Sequence, residues 1–295
     1  MYTYVKQILL YVFVGLVCPV ASGRQNMFPM IDMPGILSSS VDSVNYLAIH
    51  YWDRFDFNDN TLVGNTDVTE RGFTDFLGIM TYVTMQEEAF GNMYDRAAAN
   101  KKMLDYFIGL GEKYLYEYNS SLYDEELYIL VLNKLLCMPE VEKAVKERLR
   151  YKLDTVMKNR IGNKATDFAF GYKDGKTGTL YSVEAEYLLV FFNDPACETC
   201  KFMKQELSAS SLINDMLDSG SLKLLAVCVE GGIDEWKGQK LPDAWIDVCD
   251  TSMTVTDNEL YYLPSLPVLY LLDGRHNVLL KNATLKGVED YFYRE

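Results

Sequence analysis

The spacing of apolar residues divides the chain into two regions of different character. Between Val41 and Arg160, apolar side chains recur at intervals of three and four residues, the spacing of one face of a helix. One helix is predicted to begin near Asp124 and to end at Met138-Pro139, and another covers Val141–Lys158. The same spacing occurs earlier at Phe73, Phe76, Leu77 and Met80. The pattern predicts an all-α N-terminal domain over residues 23–160.

Beyond residue 160, short apolar runs alternate with turns and helical segments. Tyr187–Phe192 and Ser221–Val229 are largely apolar and of strand length, which is typical of strands buried on both faces of a sheet. Asp174-Gly175, between two short segments, predicts a β-hairpin. Further strands are expected at Trp245–Cys249, Val268–Leu272 and Val278–Lys281, and helices from the Cys197 region to about Leu217 and over Leu285–Tyr293. This alternation predicts an α/β domain over residues 161–295.

The first 22 residues have the pattern of a secretory signal peptide. An uncharged, mostly apolar run covers Ile8–Ala21, shorter than the roughly 20 residues that span a membrane as a helix. Small residues at Val20-Ala21-Ser22 suit cleavage before Gly23. A lipoprotein with lipid on Cys18 and an uncleaved anchor remain as alternatives. We therefore expect an extracytoplasmic, periplasmic protein, which associates with a membrane only if Cys18 is lipidated or the segment stays uncleaved.

Composition and charge exclude several classes of function. The chain has 295 residues and a formal net charge of −14. Since neither predicted domain is basic, we expect no nucleic-acid binding. His50 and His276, one in each predicted domain, are the only histidines, which excludes a multi-histidine metal site within one domain. The aromatic and acidic stretch His50–Phe57 is expected to be core packing with capping aspartates, and a ligand surface is the alternative.

The cysteines narrow the chemistry further. They are Cys18, Cys137, Cys197, Cys200, Cys228 and Cys249. A four-thiolate zinc site needs two closely spaced pairs, whereas Cys228 and Cys249 lie about 20 residues apart, so we expect no metal and no other cofactor. Cys137 lies in an apolar helical run and is expected to be buried and inert. Cys228 and Cys249 are expected to be free buried thiols, and a disulfide between their strands is the alternative.

The remaining pair, Cys197-Glu198-Thr199-Cys200, follows a predicted buried strand and opens a helix. Unpaired backbone N–H groups and the helix dipole at that position favour a thiolate at Cys197. Cys200 lies three residues further on, on the same side of the helix, where it can attack a mixed disulfide formed by Cys197. The motif therefore indicates thiol–disulfide exchange, with a static structural disulfide as the alternative.

Four stretches of the C-terminal region form a recognisable set: the lead-in Gly162–Phe168, the Asp174-Gly175-Lys176 hairpin, the CETC motif and Leu266–Gly274. On these stretches, residues 161–295 resemble the thioredoxin fold, in particular the extracytoplasmic thiol–disulfide oxidoreductases related to TlpA and ResA. The resemblance implies a thioredoxin-like domain with a central sheet flanked by helices and an N-terminal β-hairpin extension. It also implies that Pro267 is cis and lies against the CxxC motif, and that Leu266 exposes backbone that pairs with a bound substrate.

A second resemblance rests on four further stretches, Tyr51–Phe57, Glu112–Tyr116, Asn159–Gly162 and Asp194–Cys197. On these, residues 40–295 resemble a family from the Bacteroides group that joins a domain of unknown function, the DUF5106 type, to a thioredoxin-like domain. This resemblance covers nearly the whole chain after the signal segment. It implies no activity for the helical domain.

The motif departs from that of thioredoxins at three positions. Ala196 stands where thioredoxins have Trp, Phe191 where they have a buried acid, and Thr199 where many relatives have Pro. Because the buried acid is missing, Glu198 is the best candidate for proton exchange with the cysteines, and an exposed, solvated Glu198 is the alternative.

Taken together, these features predict an exported thiol–disulfide oxidoreductase. Cys197 would attack, Cys200 would resolve, and the partners would be disulfide-bearing protein substrates and a redox donor protein. The alternative is a non-catalytic protein that uses the thioredoxin fold for binding or as a scaffold and acts through its helical domain.

Overall fold

The computed structural model describes residues 27–35 and 39–294, which form two compact units. The border between the units lies between Leu153 and Asp154, a few residues before the boundary predicted from sequence. The predicted signal segment with Cys18 lies outside the described residues. Among the residues that are described, no helix is long and apolar enough to cross a membrane.

The N-terminal unit is helical, as its apolar spacing predicts. Side-chain oxygens of Ser39, Asn100 and Asp124 accept backbone N–H groups in the first turns of three helices and so fix where these helices begin. The helices are α1 (Ser40–His50), α2 (Arg71–Met80), α3 (Gln86–Ala97), α4 (Lys101–Gly111), α5 (Glu125–Cys137) and α6 (Lys143–Met157).

The aromatic stretch after α1 lies in the core of this unit. Trp52 is only 1% exposed, and its ring lies 5.0 Å from that of Phe107 and 5.2 Å from that of Phe55, both edge to face. His50 Nδ1 lies 2.8 Å from a carboxylate oxygen of Asp53. The prediction that this stretch provides core packing is therefore confirmed.

Cys137 does not have the predicted environment. It is exposed, so the expectation of a buried thiol is wrong. The core-facing side of α5 carries Leu127, Val131 and Leu135 at four-residue intervals. Because Cys137 is two residues beyond Leu135, it points away from this stripe and lies at the end of the helix.

In the described residues 154–294, seven strands form one mixed sheet in the order β2-β1-β5-β4-β3-β6-β7. The central strands β3, β4 and β5 are parallel, and the pairs on either side are antiparallel. The predicted hairpin forms β1 and β2 at one edge. The strands are β1 (Ala169–Tyr172), β2 (Thr177–Thr179), β3 (Tyr187–Asn193), β4 (Leu222–Cys228), β5 (Ile246–Cys249), β6 (Val268–Asp273) and β7 (Val278–Ala283).

Both faces of the sheet are covered by apolar packing, which explains the apolar run in β3. Leu188, Val190 and Phe192 point to one face and belong to one buried cluster. Leu189 and Phe191 point to the other face, where they pack with residues of the helices that follow β3. The mixed sheet with flanking helices confirms the predicted thioredoxin-like fold class.

The helix after the CxxC motif is shorter than predicted. Instead of running on to Leu217, it ends at Ala209, and a second helix begins at Ser211. Ser210 causes the break because its Oγ accepts the Ile213 N–H at 3.4 Å while its backbone is extended. The helices of this unit are α7 (Glu198–Ala209), α8 (Ser211–Ser219), α9 (Ile233–Gly238), α10 (Thr254–Asp257) and α11 (Leu285–Phe292).

Candidate active site

The CxxC motif lies where the central strand β3 ends and α7 begins. Cys197 occupies the position before the first helical residue, and its sulfur accepts the Cys200 backbone N–H at 3.4 Å. The loop between strand and helix is held by Asp194, whose side chain accepts the Ala196 N–H at 2.8 Å. Gly231 lies against this loop with φ of +91°, and a Cβ there would meet the Asp194 carboxylate at 2.8 Å. The loop after β4 therefore approaches the loop before α7 so closely that position 231 requires glycine.

The sulfur of Cys197 is partly exposed and is surrounded by hydrogen-bonding groups. Its Sγ lies 2.9 Å from the Thr199 hydroxyl and 3.9 Å from the Leu266 carbonyl oxygen. Burial acts to raise the pKa of Cys197, but hydrogen bonds from the Thr199 hydroxyl and from Cys200 oppose it and prevail. The net effect is a pKa below the usual value of a thiol, which favours the nucleophilic thiolate.

The sulfur of Cys200 has the opposite character. The residue is 0% exposed, and burial raises the pKa of Cys200 to about 12, although the Asp194 N–H donates to its sulfur at 3.4 Å. Both cysteines are free thiols in this structure. One thiol is therefore accessible and easily ionised, and its neighbour is sequestered and protonated.

The Leu266-Pro267 peptide bond, which immediately precedes β6, is cis. The Leu266 carbonyl oxygen accepts the Thr199 hydroxyl at 3.2 Å and faces the Cys197 sulfur. The structure thus brings Leu266 next to the cysteine motif from a segment 69 residues away.

Thr199, which the sequence marks only as a departure from the thioredoxin pattern, is a site residue in the structure. Its hydroxyl has a single proton and two acceptors within reach, the Cys197 sulfur and the Leu266 carbonyl. When Cys197 is ionised, donation to the sulfur is favoured because a charged acceptor forms the stronger bond. The only signal in the sequence was the position of a hydroxyl residue between the two cysteines.

Glu198 lies on the exposed side of the first turn of α7. Its side chain is 86% exposed, and its carboxylate accepts a hydrogen bond from the Lys201 ammonium at 2.5 Å. Within the described contacts, the carboxylate has no hydrogen bond to either cysteine sulfur. Its assignment to proton exchange stays a prediction.

An open cleft of about 530 Å³ lies beside the motif. Three of the residues that line it are lysines, Lys201, Lys204 and Lys240, and Pro195 and Ala196 of the loop form another side. Lys204 is half-buried, donates to Gln239 at 2.7 Å, and has a pKa lowered mainly by that burial. Among all the described residues, no group of three or more His, Cys, Asp or Glu side chains is placed to hold a metal ion.

A solved structure with this architecture comes from Bacteroides caccae ATCC 43185, where it is described as a thioredoxin-like protein. The two chains are 32% identical, the TM-score is 0.86, and the match covers 91% of this chain and 98% of the other. This chain belongs to that thioredoxin-like family. Residues 15–159 match the model of a domain of unknown function, DUF5106.

Other similar solved structures match less than half of this thioredoxin-like chain. The C-terminal domain of an uncharacterized protein from Bacteroides fragilis NCTC 9343 is 40% identical over 46% of this chain and 99% of its own length, with a TM-score of 0.45. A thiol-disulfide oxidoreductase from the same strain is 18% identical over 45% of this chain and 98% of its own, with a TM-score of 0.39. No curated protein matches the chain.

We predict that Thr199→Val raises the pKa of Cys197, because it removes a hydroxyl that donates to the thiolate. The rate of iodoacetamide alkylation of the reduced protein, measured against pH, should show its midpoint at higher pH than in the wild type. Thr199→Ser is the matched control because it keeps the hydroxyl and should leave the midpoint near that of the wild type. Coincident profiles for the valine and serine variants would show that the Thr199 hydroxyl does not lower the pKa of Cys197.

Proposed function

We propose that this thioredoxin-like protein is an exported thiol–disulfide oxidoreductase that reduces or exchanges disulfides in extracytoplasmic proteins. The observation that carries the proposal is the contrast between the two sulfurs of the motif. Cys197 is partly exposed with a lowered pKa, whereas Cys200 is buried with a raised pKa. This pairing suits a nucleophile and a resolving thiol, and a purely structural disulfide requires no such difference.

The exchange proceeds in two steps. The Cys197 thiolate attacks one sulfur of a substrate disulfide, forming a mixed disulfide and releasing the other substrate sulfur as a thiolate. The Cys200 thiol then loses its proton and attacks the Cys197 sulfur, which closes the Cys197–Cys200 disulfide and releases the second substrate thiolate. Two electrons pass from the protein to the substrate, and the released thiolates take up protons.

Cys200 is kept protonated until the mixed disulfide forms, because its burial makes the thiolate costly. The cysteine thiols therefore act in a fixed order, with Cys197 first. Formation of the mixed disulfide removes the negative charge of Cys197, which is one of the causes that raise the pKa of Cys200. The second step thus becomes easier once the first has occurred.

The surroundings of Cys197 suit an extended protein substrate. The Leu266 carbonyl lies beside the reactive sulfur and offers a backbone acceptor to a substrate N–H. The adjoining cleft, with Lys201, Lys204 and Lys240, provides a surface for substrate residues that flank the disulfide. These features support a protein or peptide substrate.

Export and the redox partner belong to the same proposal. The apolar run Ile8–Ala21 followed by small residues supports export. Each turnover leaves the protein as the Cys197–Cys200 disulfide, so continued reduction needs a donor dithiol protein in the same compartment. Disulfide-bearing proteins are the substrates expected there.

Reduction of insulin disulfides with dithiothreitol as the electron donor tests the proposed reaction. We predict that Cys197→Ser abolishes turnover, because the variant lacks the nucleophile. Cys200→Ser, reduced, freed of dithiothreitol and then mixed with insulin, should retain the first step and accumulate a mixed disulfide at Cys197, detectable by non-reducing mass spectrometry. Cys137→Ser, which changes an exposed thiol outside the motif, is the control and should keep wild-type turnover.

Two results would contradict the proposed reaction. One is a wild-type protein that does not accelerate insulin reduction above dithiothreitol alone while its Cys197–Cys200 pair is reduced at the start. The other is a Cys200→Ser variant that traps no mixed disulfide. Either would favour the alternative, a binding or scaffold protein with a thioredoxin-like fold.

Glu198→Gln should have a small effect on the same reaction. The Glu198 carboxylate is exposed and binds Lys201, so we expect turnover to fall by much less than the roughly 10²–10⁴-fold typical of a lost general acid or base. Glu198→Asp, which keeps a carboxylate at this position, is the matched control. Loss of activity confined to a folded Glu198→Gln protein would assign Glu198 an obligatory proton-transfer step.

A further inference from the structure

A second pair of cysteines lies side by side at the carboxyl ends of β4 and β5. In the parallel pairing of these strands, Cys228 is directly opposite Cys249. Neighbouring strands lie about 4.8 Å apart, which is within the range of roughly 4.4–6.8 Å that disulfides require between Cα atoms. In-register partners also direct their side chains to the same face of the sheet, so the two Cβ atoms project together.

The two side chains contact each other. Together with Trp236 of α9 they form a small buried cluster, in which Cys228 is 2% exposed and Cys249 is 7% exposed. The Cys228 thiol donates a hydrogen bond to the Glu230 carbonyl oxygen at 3.2 Å. Burial raises the pKa of both Cys228 and Cys249. Both cysteines are free thiols in this structure.

The pair is separate from the CxxC motif but close to it in the sheet. Across the sheet, Cys228 is opposite Asn193 of β3, the strand that leads into the motif. The hydrogen bonds of Cys197 and Cys200 involve Thr199, Leu266 and Asp194, and neither Cys228 nor Cys249 is among them. A change at one pair therefore does not require a change at the other.

We propose that Cys228 and Cys249 are a second redox-active pair that closes into an intrachain disulfide linking β4 to β5. The proposal goes beyond thiol–disulfide exchange at the CxxC motif and does not depend on it. Its basis is the in-register position of two cysteines whose side chains are already in contact. A low-molecular-weight disulfide is the oxidant.

The reaction balances with one equivalent of that oxidant. Cys249 gives up its proton and attacks one sulfur of oxidised glutathione, which forms a mixed disulfide and releases one glutathione thiolate that takes up a proton. Cys228 then gives up its proton and attacks the Cys249 sulfur, which forms the Cys228–Cys249 disulfide and releases the second glutathione. Two protein thiols are oxidised and one glutathione disulfide is reduced. Cys249 reacts first because it is the more exposed of the two and because the Cys228 thiol is hydrogen-bonded to the Glu230 carbonyl oxygen.

The test uses the full chain carrying Cys197→Ser and Cys200→Ser, which removes the CxxC pair. The folded protein is reduced, freed of reductant and incubated with oxidised glutathione until the number of free thiols is constant. Free thiols are then blocked with N-ethylmaleimide under denaturing conditions, and each cysteine is assigned by peptide mass spectrometry. We expect Cys228 and Cys249 to be lost together from the N-ethylmaleimide-labelled fraction, and a peptide cross-linked between them to appear under non-reducing conditions.

Single replacements in the same background separate closure of this pair from general oxidation. In Cys228→Ser the cross-linked peptide should vanish and Cys249 should carry glutathione. Cys249→Ser should leave Cys228 labelled by N-ethylmaleimide. Cys137→Ser should change nothing at the pair. In the protein that carries only Cys197→Ser and Cys200→Ser, closure of the Cys228–Cys249 disulfide should also raise the melting temperature, because the cross-link restricts the unfolded chain.

Complete N-ethylmaleimide labelling of both Cys228 and Cys249, under conditions that oxidise the Cys197–Cys200 pair of the wild type, would overturn the proposal. Cross-links that join Cys228 or Cys249 to other cysteines in place of each other would do the same. The insulin assay of the wild type is scored separately, so failure of this proposal and failure of the proposed oxidoreductase function are distinguishable.

Discussion

The chemistry of the C-terminal unit depends on hydrogen bonds that converge on one atom, the sulfur of Cys197. The thiolate is stabilised by the Cys200 N–H at the start of α7 and by the Thr199 hydroxyl. A negative charge at this position is also favoured by the N-terminal end of the helix dipole. If the sulfur were moved by one residue in either direction, it would lose the unpaired N–H group that the helix terminus provides.

The rest of the unit holds these groups in place. β3 is buried on both faces, so its end is a fixed point from which the Asp194–Ala196 loop leads to the helix. The strand β6, paired with β3, brings Leu266 to the reactive sulfur. Phe191 of β3 belongs to the buried apolar cluster that includes Leu207 of α7 and Ile213 of α8. The resemblance to thioredoxins implies a buried acid at this position. The raised pKa of Cys200 therefore follows chiefly from burial.

Local patterns in the sequence predicted the elements but not all of their contacts. The apolar run Tyr187–Phe192 predicts β3 because burial on both faces leaves no polar alternation, and Asp124 marks the start of α5 because a short acidic side chain caps a helix. The break between α7 and α8 at Ser210 is not evident from the sequence, because serine occurs both inside helices and at the positions that cap them. The contact of Thr199 with Leu266 and the register of Cys228 with Cys249 join distant segments, which no local spacing encodes.

A pH titration of the two motif sulfurs in the reduced wild-type protein tests most directly whether Cys197 is the nucleophile and Cys200 the resolving thiol. With ¹³C-labelled cysteine Cβ atoms, nuclear magnetic resonance follows the ionisation of each thiol separately. We predict that Cys197 ionises at a pH below the roughly 8.5 of an unperturbed thiol and that Cys200 stays protonated until about pH 12. Ionisation of Cys200 before Cys197, or of both thiols together near the unperturbed value, would contradict this assignment.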